Sequence, residues 1–155
     1  MFRAYVMEVK IETATIKLLD QLYAIEEQCF SEEAFSRRQI AYLLTDYNTI
    51  ALVAKNNLDI AGFIIAQIDV EDNIEYGHII TLNIPHNYRR KRVATRLLQE
   101  IQAILRQRGI TEIHLEVRED NQAAIKLYQT LGYQTMGKLE KYYGKKHGLY
   151  LKKTF

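Results

Sequence analysis

Alternation and helical periodicity divide this chain into a run of short elements. Tyr5 to Ile11 alternates apolar and polar side chains, Tyr5 and Met7 among the apolar ones, and predicts a first strand. Thr13 or Thr15 can cap a helix that carries Ile16, Leu19, Leu22 and Ile25 on one face. Ser36 with Gln39 forms an S-x-x-Q capping box. A second helix therefore follows to about Leu44, and Phe30 to Phe35 is the loop between the helices. Ile50 to Lys55 is a short apolar strand, Asn56 to Asp59 is turn chemistry, and Ile60 to Asp69 is the paired strand. Asp69 to Asn73 makes a second polar turn. Glu75 to Ile84 is a long strand closed by Pro85, the only proline, which has no N–H to offer a ladder.

The second half alternates strands with helices. From about Val93 a helix carries Val93, Leu97, Leu98, Ile101, Ile104 and Leu105 on one stripe, and Gly109 supplies its stop. Thr111 to Arg118 is a strand with Ile113, Leu115 and Val117 on one face. Asp120 or Asn121 caps a further helix that Gly132 ends, and Tyr133 to Lys138 and Gly148 to Lys153 read as closing strands. There is no internal repeat, linker or low-complexity segment. The pattern predicts a single mixed α/β domain over residues 1–155, built around one central sheet.

Composition narrows the classes. A chain of 155 residues with 48% hydrophobic side chains can bury a core. The net charge of +2 excludes a wholesale nucleic-acid binder and makes any basic patch local. No apolar run approaches the roughly 20 residues that span a bilayer. The segment MFRAYVMEVKIE lacks a secretory layout, so a cytoplasmic location is expected. Cys29 is the single cysteine, which excludes an internal disulfide and suggests a buried structural thiol. His78, His86, His114 and His147 show no metal-ligand spacing, and no metal is expected.

Two stretches carry candidate chemistry. In Ile80 to Ile101 a strand and a Pro-Asn turn lead to Arg89, Arg90, Lys91 and Arg92, where a helix begins. A helix N-terminus offers unpaired N–H groups and partial positive charge, so this is a diphosphate seat beside a strand. The competing reading is a solvated basic surface. In the second stretch, Asn121, Ala124, Tyr128, Gly132 and Tyr133 form N-x-x-A-x-x-x-Y-x-x-x-G-Y. Its first three members share a helix face. An ordinary capped amphipathic helix explains most of these residues, but not the polar tip of Tyr128 on the face of Asn121.

Together and in this order, the two stretches resemble the GNAT superfamily of acetyl-CoA-dependent N-acetyltransferases. That family has a [QR]-x-x-G-x-[GA] phosphate loop after its fourth strand, matched here by Arg89 to Ala94, and the N-x-x-A helix after its fifth. The chain is more closely similar to the RimI-like and archaeal protein N-alpha-acetyltransferases. This likeness rests on Gly77-His78-Ile79, Tyr88-Arg89-Arg90-Lys91, Leu115-Glu116-Val117-Arg118 and Lys141-Tyr142-Tyr143. The resemblance implies a GNAT-like fold of about seven strands in a mixed sheet, flanked by four helices and splayed between strands four and five. One departure stands out: Arg92 occupies the place of the loop glycine. Such a residue would be tolerated with ordinary helical dihedrals and its side chain turned outward.

The resemblance also assigns roles. Acetyl-CoA would be the co-substrate, its pantetheine arm paired with the backbone of Leu82, Asn83 and Ile84. Its diphosphate would be held by Arg89, Arg90, Lys91, Arg92, Val93, Ala94 and Thr95; Tyr128 would also meet the cofactor, and Asn121 is either the helix cap alone or a cap that also touches the cofactor. Glu116, with His78 as the other candidate, would take the proton from the amine, and Tyr128 would protonate the departing thiolate. An α-amino group titrates near 8, against about 10.4 for lysine, so a modest base suffices at an N-terminus. Phe30, Glu33, Tyr142 and Tyr143 would line the peptide groove, the tyrosines from a loop that roofs it. The expected activity is acetylation of protein or peptide N-termini, ribosomal proteins among the candidate targets, by a monomer or with an auxiliary subunit or ribosome association. The alternatives are an acetyltransferase for a small amine or lysine side chain, and a basic-patch binding module without catalysis.

Overall fold

A computed structural model describes residues 8–155. Tyr5 and Met7 of the expected first strand lie outside the described residues. Seven strands form one mixed sheet in the order β1-β2-β3-β4-β5-β7-β6. They are β1 (Lys10–Thr13), β2 (Thr49–Asn56), β3 (Asp59–Glu71), β4 (Ile74–Asn83), β5 (Glu112–Arg118), β6 (Gln134–Tyr143) and β7 (Lys146–Thr154). The helices are α1 (Leu19–Phe30), α2 (Arg37–Thr45), α3 (Val93–Gln107) and α4 (Gln122–Thr130). Among the described residues no helix is long and apolar enough to cross a membrane.

The chain forms two compact units, each drawn from two segments: one runs to Ala66 and adds Thr81–Gln102, the other joins Gln67–Ile80 to Ala103–Phe155. In the first unit β1 pairs antiparallel with β2, Lys10 opposite Lys55 and Thr13 opposite Leu52. Leu22, Ile40, Phe63, Leu97 and Ile101 are fully buried. Burying each such side chain contributes roughly 1.5–3 kcal/mol. The capping box opens α2 as its sequence requires: Gln39 N–H donates to Ser36 Oγ at 3.1 Å, and Ser36 N–H donates to Gln39 Oε1 at 2.8 Å. α1 begins differently. Thr15 caps a 3-10 turn over Ile16–Leu18 without a side-chain hydrogen bond, and Ile16 stays exposed, so the helix proper starts at Leu19.

In the second unit β4 lies parallel to β5, Gly77 opposite Ile113 and His78 opposite His114. β5 pairs antiparallel with β7, and β7 with β6. A parallel ladder this short fits a sheet splayed between its fourth and fifth strands. Gly77 makes the close approach: a Cβ there would lie 2.7 Å from Leu105 Cδ1. Both helix stops act as their glycines suggest, with Gly109 at φ 81° and Gly132 at φ 95°. The hairpin is longer than the sequence indicates. β6 runs to Tyr143 rather than Lys138, because all but two of its residues are exposed and leave no alternation to read. It follows that Tyr142 and Tyr143 sit on a strand end, not on a loop.

Gly62 on β3 backs the end of β4. A Cβ there would stand 2.6 Å from Ile84 Cδ1 and 2.9 Å from the Asn83 carbonyl oxygen. The carbonyl cannot swing aside as a side chain can. Gly62→Ala is therefore expected to cost about 1–3 kcal/mol by overpacking, read as a lower urea midpoint at unchanged m-value.

Candidate active site

Three neighbouring strands deliver one side chain each to a hydrogen-bonded row in the second unit. His78 on β4 meets Glu116 on β5, with Nε2 2.7 Å from Glu116 Oε2. Its other ring nitrogen, Nδ1, lies 3.3 Å from Asp69 Oδ2 on β3. All three are half-buried. Burial opposes charge on His78. The Glu116 hydrogen bond and the charges of Glu116 and Asp69 outweigh it and raise the imidazole pKa. Strand geometry explains the contact. His78 faces His114 across the parallel ladder, and Glu116 is two residues beyond His114, hence on the same face.

A second imidazole backs this row. His114 is buried, its Nε2 3.1 Å from Glu112 Oε1 and its Nδ1 bonded to the Tyr150 hydroxyl. The Tyr76 ring stacks on it with centroids 4.2 Å apart. Burial raises the Tyr76 pKa, with Asp69, Glu71, Glu116 and Glu112 adding to it. Tyr128 is buried on α4 and meets Tyr133 edge-on at 5.6 Å. Burial pushes its phenol well above the usual value, and Tyr133 and Tyr143 push the same way, so it holds its proton at any working pH. Asn121 is the α4 cap, accepting from Ala124 N–H at 3.2 Å, while Asp120 is held by Arg118 instead. Tyr142 and Tyr143 meet edge-on at 4.9 Å, next to Gly148, where a Cβ would stand 3.1 Å from Tyr143 Cε2.

In the first unit, Leu82 and Asn83 end β4, and Ile84 leads on from it into the basic turn. Tyr88 anchors that turn. It is buried, and its hydroxyl donates to Asp59 at 3.2 Å and accepts from Asn56 at 3.5 Å. Lys91 lies over its ring at 5.9 Å. Arg89 Nε–H donates to the Ile84 carbonyl at 3.1 Å. The expectation of ordinary dihedrals at Arg92 is corrected: Arg90 and Arg92 are both left-handed, at φ 63° and 62°. The chain leaves a 3-10 turn at His86–Tyr88 and must reverse into α3 within a few residues, and alternating left-handed residues accomplish that. Both arginine side chains are exposed, as an outward course requires. Alternation of this kind also turns successive N–H groups to one side, the geometry of an anion nest. The first helical bond runs from Arg96 N–H to the Arg92 carbonyl, which leaves the N–H groups of Val93, Ala94 and Thr95 in the unpaired first turn. These donors, a strand end and local positive charge suit a diphosphate with a pantetheine arm.

Phe30 ends α1, and Glu33 lies in a 3-10 turn at Ser31–Glu33; both are half-buried. Cys29 is half-buried rather than enclosed, and its thiol donates to the Ile84 carbonyl at 3.6 Å. Burial pushes its pKa up against the opposing pull of Arg89, so it is a poor nucleophile. Among the described residues no group of His, Cys, Asp and Glu is arranged to hold a metal ion. Sequence reasoning missed Asp69, read there as the start of a turn. The polar break after the apolar run of β3 was the available signal.

The chain belongs to the acetyltransferase (GNAT) family, whose model matches residues 19–133. It is 32% identical to the catalytic subunit of the N-terminal acetyltransferase A complex of Arabidopsis thaliana, over 87% of this chain and 71% of that protein. It is 27% identical to the N-alpha-acetyltransferase of Sulfurisphaera tokodaii, over 93% of this chain and 91% of that one. Its fold matches the ribosomal-protein-S18-alanine N-acetyltransferase from Escherichia coli with a TM-score of 0.85 at 22% identity, covering 95% and 94% of the two chains. The family resemblance carried by the two motifs is borne out.

Two stability outcomes follow. Arg92→Gly removes a left-handed arginine and is expected to stabilise by up to about 1 kcal/mol, the strain relieved less the added freedom of the unfolded chain, read as a higher urea midpoint. The raised pKa of His78 contributes stability that is complete below the unfolded value of about 6.5 and is lost as pH rises through the folded value. The gap in urea midpoint between the native chain and His78→Gln is expected to be widest just below that pH and to shrink above it.

Proposed function

We propose that this chain transfers the acetyl group of acetyl-CoA to the α-amino group of protein or peptide N-termini, by direct attack in a ternary complex. The observation that carries the reading is the 2.7 Å contact between His78 and Glu116, a base pair of modest strength on adjacent strands. Membership of an acetyltransferase family and similarity to proteins named as N-terminal and N-alpha-acetyltransferases support it. The reading takes the chain as one catalytic domain, since each unit is built from two separate segments.

The residues divide the work as follows. Leu82, Asn83 and Ile84 offer backbone to the pantetheine arm. Arg89, Arg90, Lys91 and Arg92 supply positive charge, and Val93, Ala94 and Thr95 supply N–H groups to the diphosphate. Asn121 and Tyr128 are assigned to the cofactor as well, Tyr128 to its thiol. Glu116 and His78 act as a pair: the amine proton passes to His78, directly or through water, and Glu116 stabilises the resulting imidazolium. As the amine nitrogen bonds to the acetyl carbon and the C–S bond breaks, Tyr128 donates its proton to the leaving sulfur. Its high pKa keeps the phenol protonated until the C–S bond breaks, the thiolate, near 8.5 when free, is a fair leaving group, and the proton held by His78 returns to Tyr128 through solvent to close the cycle. Phe30, Glu33, Tyr142 and Tyr143 are the residues assigned to the first residues of the acceptor. The weak base favours an N-terminal amine over lysine, whose amine needs several kcal/mol more to deprotonate near neutral pH. Action in the cytoplasm, on ribosomal proteins among other targets, alone or with an auxiliary subunit, is compatible with this reading.

Mass spectrometry of a short peptide panel incubated with acetyl-CoA is expected to find acetylation at the N-terminus. Side-chain acetylation would support the lysine or small-amine alternative, and no product at all a binding module. Tyr128→Phe is expected to lower kcat on the order of 10²-fold. His78 must be neutral to accept a proton, so kcat/KM rises as pH passes its raised pKa. Glu116→Gln removes the partner that raises it, and beyond a fall in rate its acid limb is expected to move to lower pH. A limb that stays in place would show that His78 is not the titrating group.

A further inference from the structure

Glu26 is a buried carboxylate that none of the steps above uses. It lies on α1 at 1% exposure, and each of its oxygens has its own partners. Oε1 accepts from Thr81 Oγ1 at 2.7 Å and from Asn83 Nδ2 at 3.1 Å, both on the last turn of side chains along β4. Oε2 accepts from the backbone N–H of Phe35 at 3.3 Å, at the end of the segment that joins α1 to α2. Asn83 Nδ2 donates also to Thr81 Oγ1 at 2.9 Å. Every group that meets Glu26 here is a donor, and a carboxylate satisfies all of them. Burial still pushes its pKa up, against the pull of Thr81, Phe35 and Asn83.

A core of apolar side chains would hold these elements together without a desolvated acid. The arrangement does something that apolar packing does not: it fixes the direction of one backbone N–H and one amide. Asn83 is fully buried, and with Nδ2 turned to Glu26 its Oδ1 is left without a hydrogen-bond partner. That orientation is dictated by Glu26, since the flipped amide would set oxygen against oxygen. Asn83 and its neighbours on β4 are the backbone assigned to the donor arm, and the Phe30-to-Phe35 segment carries the assigned acceptor residues Phe30 and Glu33.

We propose that Glu26 is a positioning residue that clasps the acceptor segment at Phe35 to the donor end of β4 at Thr81 and Asn83, so that filling the donor seat orders the acceptor segment. This rests on the assignment of residues 82–84 to the donor arm. The clasp needs both carboxylate oxygens. Leucine has no acceptor, so Glu26→Leu keeps the approximate size and cuts both sides of the clasp.

Amide hydrogen exchange read by NMR tests this with coenzyme A as the probe. In the native protein, saturating coenzyme A is expected to slow exchange of the Phe35 amide by about fivefold or more, within the usual range of coupling between sites. In Glu26→Leu, calorimetry is expected still to show coenzyme A binding, while its effect at Phe35 disappears and the peptide KM rises by about fivefold or more with kcat changed less. Thr81→Val cuts only the strand side. It is expected to keep the resting protection of Phe35 and to weaken the effect of coenzyme A, which serves if the leucine variant fails to fold. An unchanged coenzyme A effect at Phe35 in these variants, or none in the native protein despite calorimetric binding, would overturn the clasp. Absence of any binding heat would overturn the donor seat instead, and loss of resting Phe35 protection in Glu26→Leu would then still test the Glu26–Phe35 bond.

Discussion

The parallel pairing of β4 with β5 is the constraint on which the proposed chemistry depends. It is brief, registering Gly77 with Ile113 and His78 with His114. In a strand, side chains alternate, so a shift of one residue would send His78 or Glu116 to the opposite face. The ladder therefore has to hold one register with few bonds. Gly77 helps by letting β4 approach Leu105 and Ile113 without a side chain between them. The antiparallel pairing of β5 with β7 extends from Glu112 to Arg118 and gives β5 a firm partner on its other side. A short ladder between well-paired neighbours is a reasonable way to place two ionisable groups in contact while leaving the strands free to part beyond them.

The donor side follows a different physical rule. There the atoms proposed to recognise the donor are backbone ones, at the end of β4 and at the start of α3. Backbone donors are strong but can be aimed only by dihedral angles, and the left-handed turn at Arg90 and Arg92 that reverses the chain into α3 sets those angles. Tyr88, held between Asp59 and Asn56, fixes the turn from beneath. The strain is localised to residues whose own side chains remain in solvent, so it does not spread into the core.

Local rules made most of the architecture readable. The capping box at Ser36, the stripe from Val93 to Leu105 and the glycine stops each depend on a few neighbouring residues, and each appears as expected. The motif from Asn121 to Tyr133 was legible for the same reason, and so was the Asn121 cap. What the sequence could not yield was long-range. Whether His78 or Glu116 stood as the base looked like a choice, because nothing local reveals that register brings them within 2.7 Å. Asp69 was hidden by the same limit. Arg92 was misread because a left-handed backbone is expected of glycine, and only the reversal into α3 demands it of arginine. β6 was read too short because an exposed strand has no buried face to announce it.

That exposed strand has a consequence of its own. β6 is one border of the sheet, a row of backbone groups that a stray extended peptide or a second copy could zip onto. Its ladder with β7 slips between Thr135 and Gly137 and again between Leu139 and Tyr143, and Lys138, Glu140 and Lys141 line it with charge. Such kinks spoil the flat template that fibril growth needs. The second slip also ends at Tyr142 and Tyr143, with Lys141 turned left-handed and tied to His147. The irregularity that guards this margin against runaway association is thus the same one that sets the direction of the two aromatic rings.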